Sequence, residues 1–138
     1  MKAISIRQPW AWLIIEAPPL WRKPVENRTW KTDYRGWIQI HAAKECTQDE
    51  YDAAVKFVRT FNANLAAMIP PLKELDRGGI IGSVFLSDCV RHHPSRFFTG
   101  PFGFVLEKPL PCKFLPMRGM LGIFNVKDDG EPEEIKNI

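Results

Sequence analysis

The chain has 138 residues, 45% hydrophobic and 25% charged, with a formal net charge of +3. That balance excludes a disordered polymer and supplies apolar side chains for one core, hence one domain. No apolar run approaches the roughly 20 residues of a membrane span, and the stretch 11–15, closed by Glu16, is too short for a signal-peptide core, so a cytoplasmic protein with no membrane partner is expected.

Residues 2–6 alternate polar and apolar and read as a first strand. Pro9 suits a first helical turn and opens a short helix through Glu16, ended by Pro18 and Pro19. Residues 26–30 read as a second strand and Tyr34-Arg35-Gly36 as a turn. Residues 37–42 form a third strand, with Ile38, Ile40 and Ala42 on one face and Trp37, Gln39 and His41 on the other. Thr47-Gln48-Asp49-Glu50 is a capping-box pattern. Tyr51, Ala54, Val55, Val58, Phe61, Leu65 and Met68 then recur at helical spacing, which predicts one long helix to Met68, stopped by Pro70-Pro71. A connector over 72–77 and a Gly78-Gly79 turn lead to a strand over 80–88, where Gly82 marks a bulge or a close backbone approach. After a polar, cationic loop over 91–100, further strands are expected at 102–107, 112–115 and 121–126.

Short strands punctuated by Gly and Pro, with two helices, predict an α+β fold: a small mixed β-barrel or a sandwich, with helices covering an open end. A doubly wound parallel sheet is not expected, and no glycine-rich phosphate loop of the usual spacing is present. The domain is expected to span 1–126. Residues 127–138 form an acidic tail, two lysines against five carboxylates, expected to fray. The preceding residues carry 17 basic and 11 acidic side chains, a net +6. That excess is the footprint of a polyanion binder, although charge that only keeps a domain soluble looks the same. Cys46, Cys89 and Cys112 are odd in number and widely spaced, as reduced thiols are.

The densest polar cluster is Lys23-Pro24-Val25-Glu26-Asn27-Arg28, flanked by Trp21 and Trp30. Glu26 and Arg28 lie two apart and share a face of a strand, while Pro24 places Lys23 on the turn entering it. Such a set can hold a small polar ligand between an ammonium, a carboxylate and a guanidinium; the plain alternative is a surface salt bridge. Lys23 and Glu26 are also an acid–base pair by type, but a carboxylate beside an ammonium favours its charged form, which suits recognition better than a lysine base. Glu26 can accept from an exocyclic amine.

Trp10 is a candidate for stacking on a base or for the core, with Trp12 competing for either role. Arg7, Arg22, Lys31 and Arg35 are candidate phosphate contacts or solvated charges. Cys89, His92 and His93 fall short of the four ligands of a structural zinc site, and no metal or cofactor is expected. His41 is expected at the barrel surface or in a cleft. The 91–96 loop with Phe97 and Phe98 fits a strand-binding lip or a mobile surface loop.

Several segments in order carry a family likeness: Ser5-Ile6-Arg7-Gln8-Pro9-Trp10-Ala11, the Lys23/Glu26/Arg28 set, Arg35-Gly36-Trp37-Ile38-Gln39-Ile40-His41-Ala42, Gly79-Ile80-Ile81-Gly82-Ser83-Val84, Gly103-Phe104-Val105-Leu106-Glu107, and Gly119-Met120-Leu121-Gly122-Ile123-Phe124. Together they resemble the ASCH (activating signal cointegrator homology) family over roughly residues 2–126. The resemblance implies a PUA-like barrel and recognition of RNA, single-stranded nucleic acid or a nucleoside. The family signature is Gly-x-Lys-x-x-Glu-x-Arg; this chain keeps Lys23, Glu26 and Arg28 but has Trp21 in the glycine's place. Some members are hydrolases. One group cleaves N4-acetylcytidine with a lysine and a threonine of the signature plus a separate glutamate, and here Glu26 stands where that threonine is expected. Ribonuclease activity is also attributed to the family. The expected site is therefore a cleft with Lys23, Glu26 and Arg28 at its centre and Arg7, Gln8, Trp10 and Arg35 around it. It would bind RNA or an unstacked base. Lys23 and Glu26 are the candidate catalytic pair if the chain is a hydrolase, and a protein-interaction module is the third reading.

Overall fold

A computed structural model describes residues 1–127 and the backbone of Pro132–Glu133. Most of the expected acidic tail lies outside the described residues. The strands are β1 (Lys2–Ile6), β2 (Val25–Arg28), β3 (Gly36–Ala42), β4 (Gly79–Val90), β5 (Phe102–Pro116), β6 (Ile123–Val126) and β7 (Pro132–Glu133). The helices are α1 (Trp10–Ile15), α2 (Gln48–Arg59) and α3 (Ala63–Met68), with a 3-10 turn at Leu72–Glu74.

One sheet of order β2-β5-β4-β3-β1-β6-β7 curls into a half-barrel, the mixed α+β architecture of a small PUA-like barrel. Among the described residues only β1 and β3 run parallel; the other pairs are antiparallel. Ile4 and Ile6 of β1, Ile38, Ile40 and Ala42 of β3, and Val84 and Leu86 of β4 bury one face against Ala11, Ile14 and Ile15 of α1. Alternation along these strands creates that face, and α1 seals it because its apolar positions fall on one side. Gly82 makes the seating possible. A Cβ there would lie 2.6 Å from the Leu110 carbonyl oxygen and 2.8 Å from Ile15 Cγ2, and the ladder shifts register beside it, between Ile80 and Gly82. Helices α2 and α3 pack a second cluster, Val58, Leu65 and Ala66, against Leu13, Val25 and Phe97.

Two expectations need correction. The single helix to Met68 is two. Helix α2 begins at the Thr47 cap, whose hydroxyl accepts from the Glu50 N–H, and ends at Arg59. Asn62 then caps α3, its Oδ1 accepting from the Leu65 N–H at 3.0 Å. The apolar spacing runs through the break because both helices face the same cluster. The separate strands at 102–107 and 112–115 are one strand, β5, which crosses Lys108 at φ 54° and shifts register against β4 on its way.

The curl leaves a gap that positions the site. Strand β6 pairs with β1 only as far as Ile4. Beyond it, the Ser5 carbonyl faces β2, at the opposite end of the sheet order, and accepts from the Arg28 guanidinium at 2.9 Å. Barrel closure at this point is made by a side chain, not by a strand ladder.

Candidate functional site

The gap is the mouth of a cleft of about 1230 Å³, walled by β1, β2, the start of α1 and the 117–122 loop. Glu26 and Arg28 of the signature cluster line it, and Lys23 stands behind Glu26. Lys23 follows α1, where its N–H donates to the Leu13 carbonyl at 2.8 Å, so the helix end fixes the turn that delivers it. Glu26 and Arg28 project from β2 on one face, held by pairing of β2 with β5. Lys23 Nζ donates to Glu26 Oε1 at 2.7 Å, and the Arg28 guanidinium meets Glu26 Oε2 at 3.0 and 3.2 Å. The side chains are 4%, 11% and 21% exposed in the order Lys23, Glu26, Arg28. This is a buried network in which one carboxylate serves two cations, unlike the exposed pair that the spacing alone also allowed. Lys23 Nζ also lies 5.4 Å from the centre of the Trp10 ring.

The other expected residues divide. Trp10 and Arg7 line the cleft. Trp10 is half-buried against the core and meets Phe57 edge-on at 5.9 Å, so it packs on the core while lining the cleft. Arg7 is exposed and bonded to Glu50 at 2.6 Å, and that hydrogen bond holds the Glu50 carboxyl below its ordinary range. Gln8 is buried away from the cleft: its amide donates to the Asp76 carbonyl and accepts from the Trp12 N–H, a brace for the start of α1. Arg35 stands outside the cleft, bonded to the carbonyls of Thr32 and Tyr34 and 3.6 Å from Asp88. Arg22 donates to the Leu106 carbonyl, and Lys31 lines neither the cleft nor the smaller cavity behind Trp10. Trp21, in the signature glycine's place, is 38% exposed and also lines neither cavity. In the 91–98 loop, Arg91 stacks on Phe102 and Arg96 on Phe61, so the cations cover aromatic rings and do not line the cleft.

Several cleft residues were not singled out by sequence reading. Lys44, Arg77 and Arg118 line the mouth, and among the described residues their side chains make no ion pair or hydrogen bond. They come from three loops, so no local pattern groups them. His41 lines the cleft as a buried part of its wall, its Nδ1 2.9 Å from Ser5 Oγ and its Nε2 2.6 Å from the Met117 carbonyl. A carbonyl can only accept, so Nε2 carries the proton, and the ring ties the 117–122 loop to β1 and β3. Gly119 is required there, because a Cβ would lie 2.6 Å from His41 Cε1. Cys46, buried under the Gln8 carbonyl, has its thiol pushed up by burial. Among the described residues no group of three or more His, Cys, Asp or Glu side chains is placed to hold a metal ion. No helix there is long and apolar enough to cross a membrane.

A mixed sheet curled into a half-barrel and covered by three helices is the architecture of a PUA-like domain. An ASCH domain profile matches residues 4–108, well over half of the sequence. The chain belongs to the ASCH domain family. It is also 29% identical over 130 residues to activating signal cointegrator 1 of Homo sapiens, an alignment covering 84% of this chain and 20% of that protein. The chain thus spans about a fifth of the length of this curated relative.

Proposed function

We propose that the cleft binds single-stranded RNA, with Glu26 and Arg28 at its recognition floor and Lys23 bonded to Glu26 from behind. The observation that carries this reading is the charge arrangement. Three cations at the mouth, Lys44, Arg77 and Arg118, form no ion pair among the described residues; of the two carboxylates lining the cleft, Glu26 is already shared by two cations, which leaves Glu45 against three cations. A cleft with that surplus favours a polyanion backbone at its mouth and a polar edge at its floor. Hydrolysis of a modified nucleoside draws less support. Lys23 is engaged as a donor to Glu26 at 2.7 Å, and Glu26 stands where the nucleoside-cleaving members have a threonine.

The test is titration of a labelled single-stranded RNA at several salt concentrations, followed by mass spectrometry of the recovered RNA. The strand is expected to return intact. The plot of log affinity against log salt should be linear, with a slope of about −0.7 for each phosphate neutralised. The Arg77→Ala/Arg118→Ala pair should flatten that slope by about 1.4. A salt-independent affinity, or a cleaved strand, overturns the reading.

A further inference from the structure

A second cavity of about 480 Å³ lies behind Trp10, between α2, β2 and the segment through Phe97 and Thr99. Both cavities share Trp10, Glu26 and Asn27 in their walls. The Arg7–Glu50 ion pair spans the partition, since Arg7 lines the cleft and Glu50 the rear chamber. Their chemistry differs. The cleft collects unpaired cations, whereas the chamber is walled by Trp10, Ala53, Ala54, Phe57 and Phe97.

Lys23 lines the chamber and not the cleft. Its side chain is 4% exposed and, among the described residues, Nζ bonds only to Glu26. An ammonium has three N–H donors, so two remain unused at the wall of a largely apolar space. Beside it, Glu26 Oε1 accepts from Lys23 and keeps a further lone pair. Asn27 offers neither: its Nδ2 donates to the Phe97 carbonyl, and its Oδ1 accepts from the Thr99 and Gly100 N–H groups. The wall therefore presents the Lys23 ammonium, with two free N–H groups, and a Glu26 acceptor 2.7 Å from it, next to aromatic rings. An unpaired nucleobase carries the complement, an acceptor adjacent to an N–H on its pairing edge and two faces for stacking. The volume lies within the roughly 300–1,000 Å³ of small-ligand sites.

We infer that the chamber behind Trp10 is a base-reading pocket, which one unpaired nucleobase enters to meet Lys23 and Glu26 while the strand's phosphates stay in the cleft. The inference rests on the RNA-binding reading above and adds to it a division of labour between the two cavities. A paired base has its edge occupied, so the pocket requires single-stranded RNA.

The test compares a hexameric single-stranded RNA, an abasic strand of the same length, and the corresponding duplex, by fluorescence anisotropy. Ala53 is exposed on α2 and lines the chamber, so Ala53→Trp fills the space from the solvent side. The parent should bind the base-bearing strand about tenfold more tightly than the abasic one, and Ala53→Trp should bring that ratio to about one. The duplex should bind the parent no better than the abasic strand does. A 2-aminopurine in the strand should be quenched by the parent and not by Ala53→Trp. If Ala53→Trp does not fold, Ala53→Leu replaces it, with the same ratio as readout. Equal affinity of the parent for base-bearing and abasic strands overturns the pocket and leaves the cleft reading standing. So does a preference that Ala53→Trp keeps. Failure of the parent to bind either strand overturns the cleft reading and the pocket with it.

Discussion

Glu26→Gln is the sharpest perturbation of the floor. In the parent one carboxylate satisfies Lys23 at 2.7 Å and Arg28 at 3.0 and 3.2 Å. A glutamine keeps the volume, but its amide oxygen serves one cation and its NH₂ group opposes the other. Lys23, with a side chain 4% exposed, regains little hydration when it loses that partner. Removing one partner of a buried pair costs about 3–5 kcal/mol. Arg28 is 21% exposed and also holds the Ser5 carbonyl, so it rehydrates in part, which puts the expectation near the lower end, about 3 kcal/mol. Against a typical total of about 5–15 kcal/mol this is large, and for a chain of this size it lowers Tm by about 10 °C. Lys23→Met should behave differently. It removes the charge that needs a partner, keeps a flexible apolar chain against Trp10, and leaves Glu26 bonded to Arg28, so the loss should stay below about 1.5 kcal/mol. Urea unfolding followed by tryptophan fluorescence measures both. Equal losses for the two substitutions, or a Glu26→Gln chain within about 0.5 kcal/mol of the parent, would refute the shared-carboxylate argument.

Asn62→Ala should cost about 1 kcal/mol in the same assay, by removing the cap that starts α3; an unchanged midpoint would mean the two helices join without it. Glu50 has an ordinary value of 4.5, and the Arg7 hydrogen bond depresses it in the folded chain. Its contribution to stability is therefore present above 4.5 and lost as pH falls through the depressed value. Glu50→Gln should flatten the Tm–pH curve in that acid range, and a curve parallel to the parent's would contradict the pairing. Burial pushes up both the Cys46 and the Cys112 thiols, so access decides the order: Cys112, exposed on β5, should react with an aromatic disulfide reagent first and Cys46, which is buried, only after unfolding. Native-state labelling of Cys46, read by peptide mass, would sink that order.

Much of the framework was legible because its signals are local. Strand β1 and the buried face of β3 follow from alternation, and the start of α2 from its capping box. The end of that helix was not, because Phe61, Leu65 and Met68 continue the apolar spacing across a break made by one asparagine side chain. Pro109 and Pro111 disguised β5, which absorbs them where its pairing with β4 is irregular. In the site, Glu26 and Arg28 were placed together by strand geometry and Lys23 by the turn before it. Gln8 and Arg35 entered the expected site with the segments that carry the family likeness, yet one turns inward to brace α1 and the other bonds to its own turn. Lys44, Arg77 and Arg118 meet only in three dimensions, as does Phe57 behind Trp10.

The bridge from Arg28 to Ser5 has a consequence for how this architecture can diversify. A barrel stitched shut by backbone pairing has a fixed girth, set by strand number and stagger. Here the last stitch is a guanidinium, so the aperture takes its width from one rotamer and the carboxylate that props it. Exchanging a side chain at that seam resizes the opening while every ladder stays in register, so new guests can be admitted without redesigning the walls.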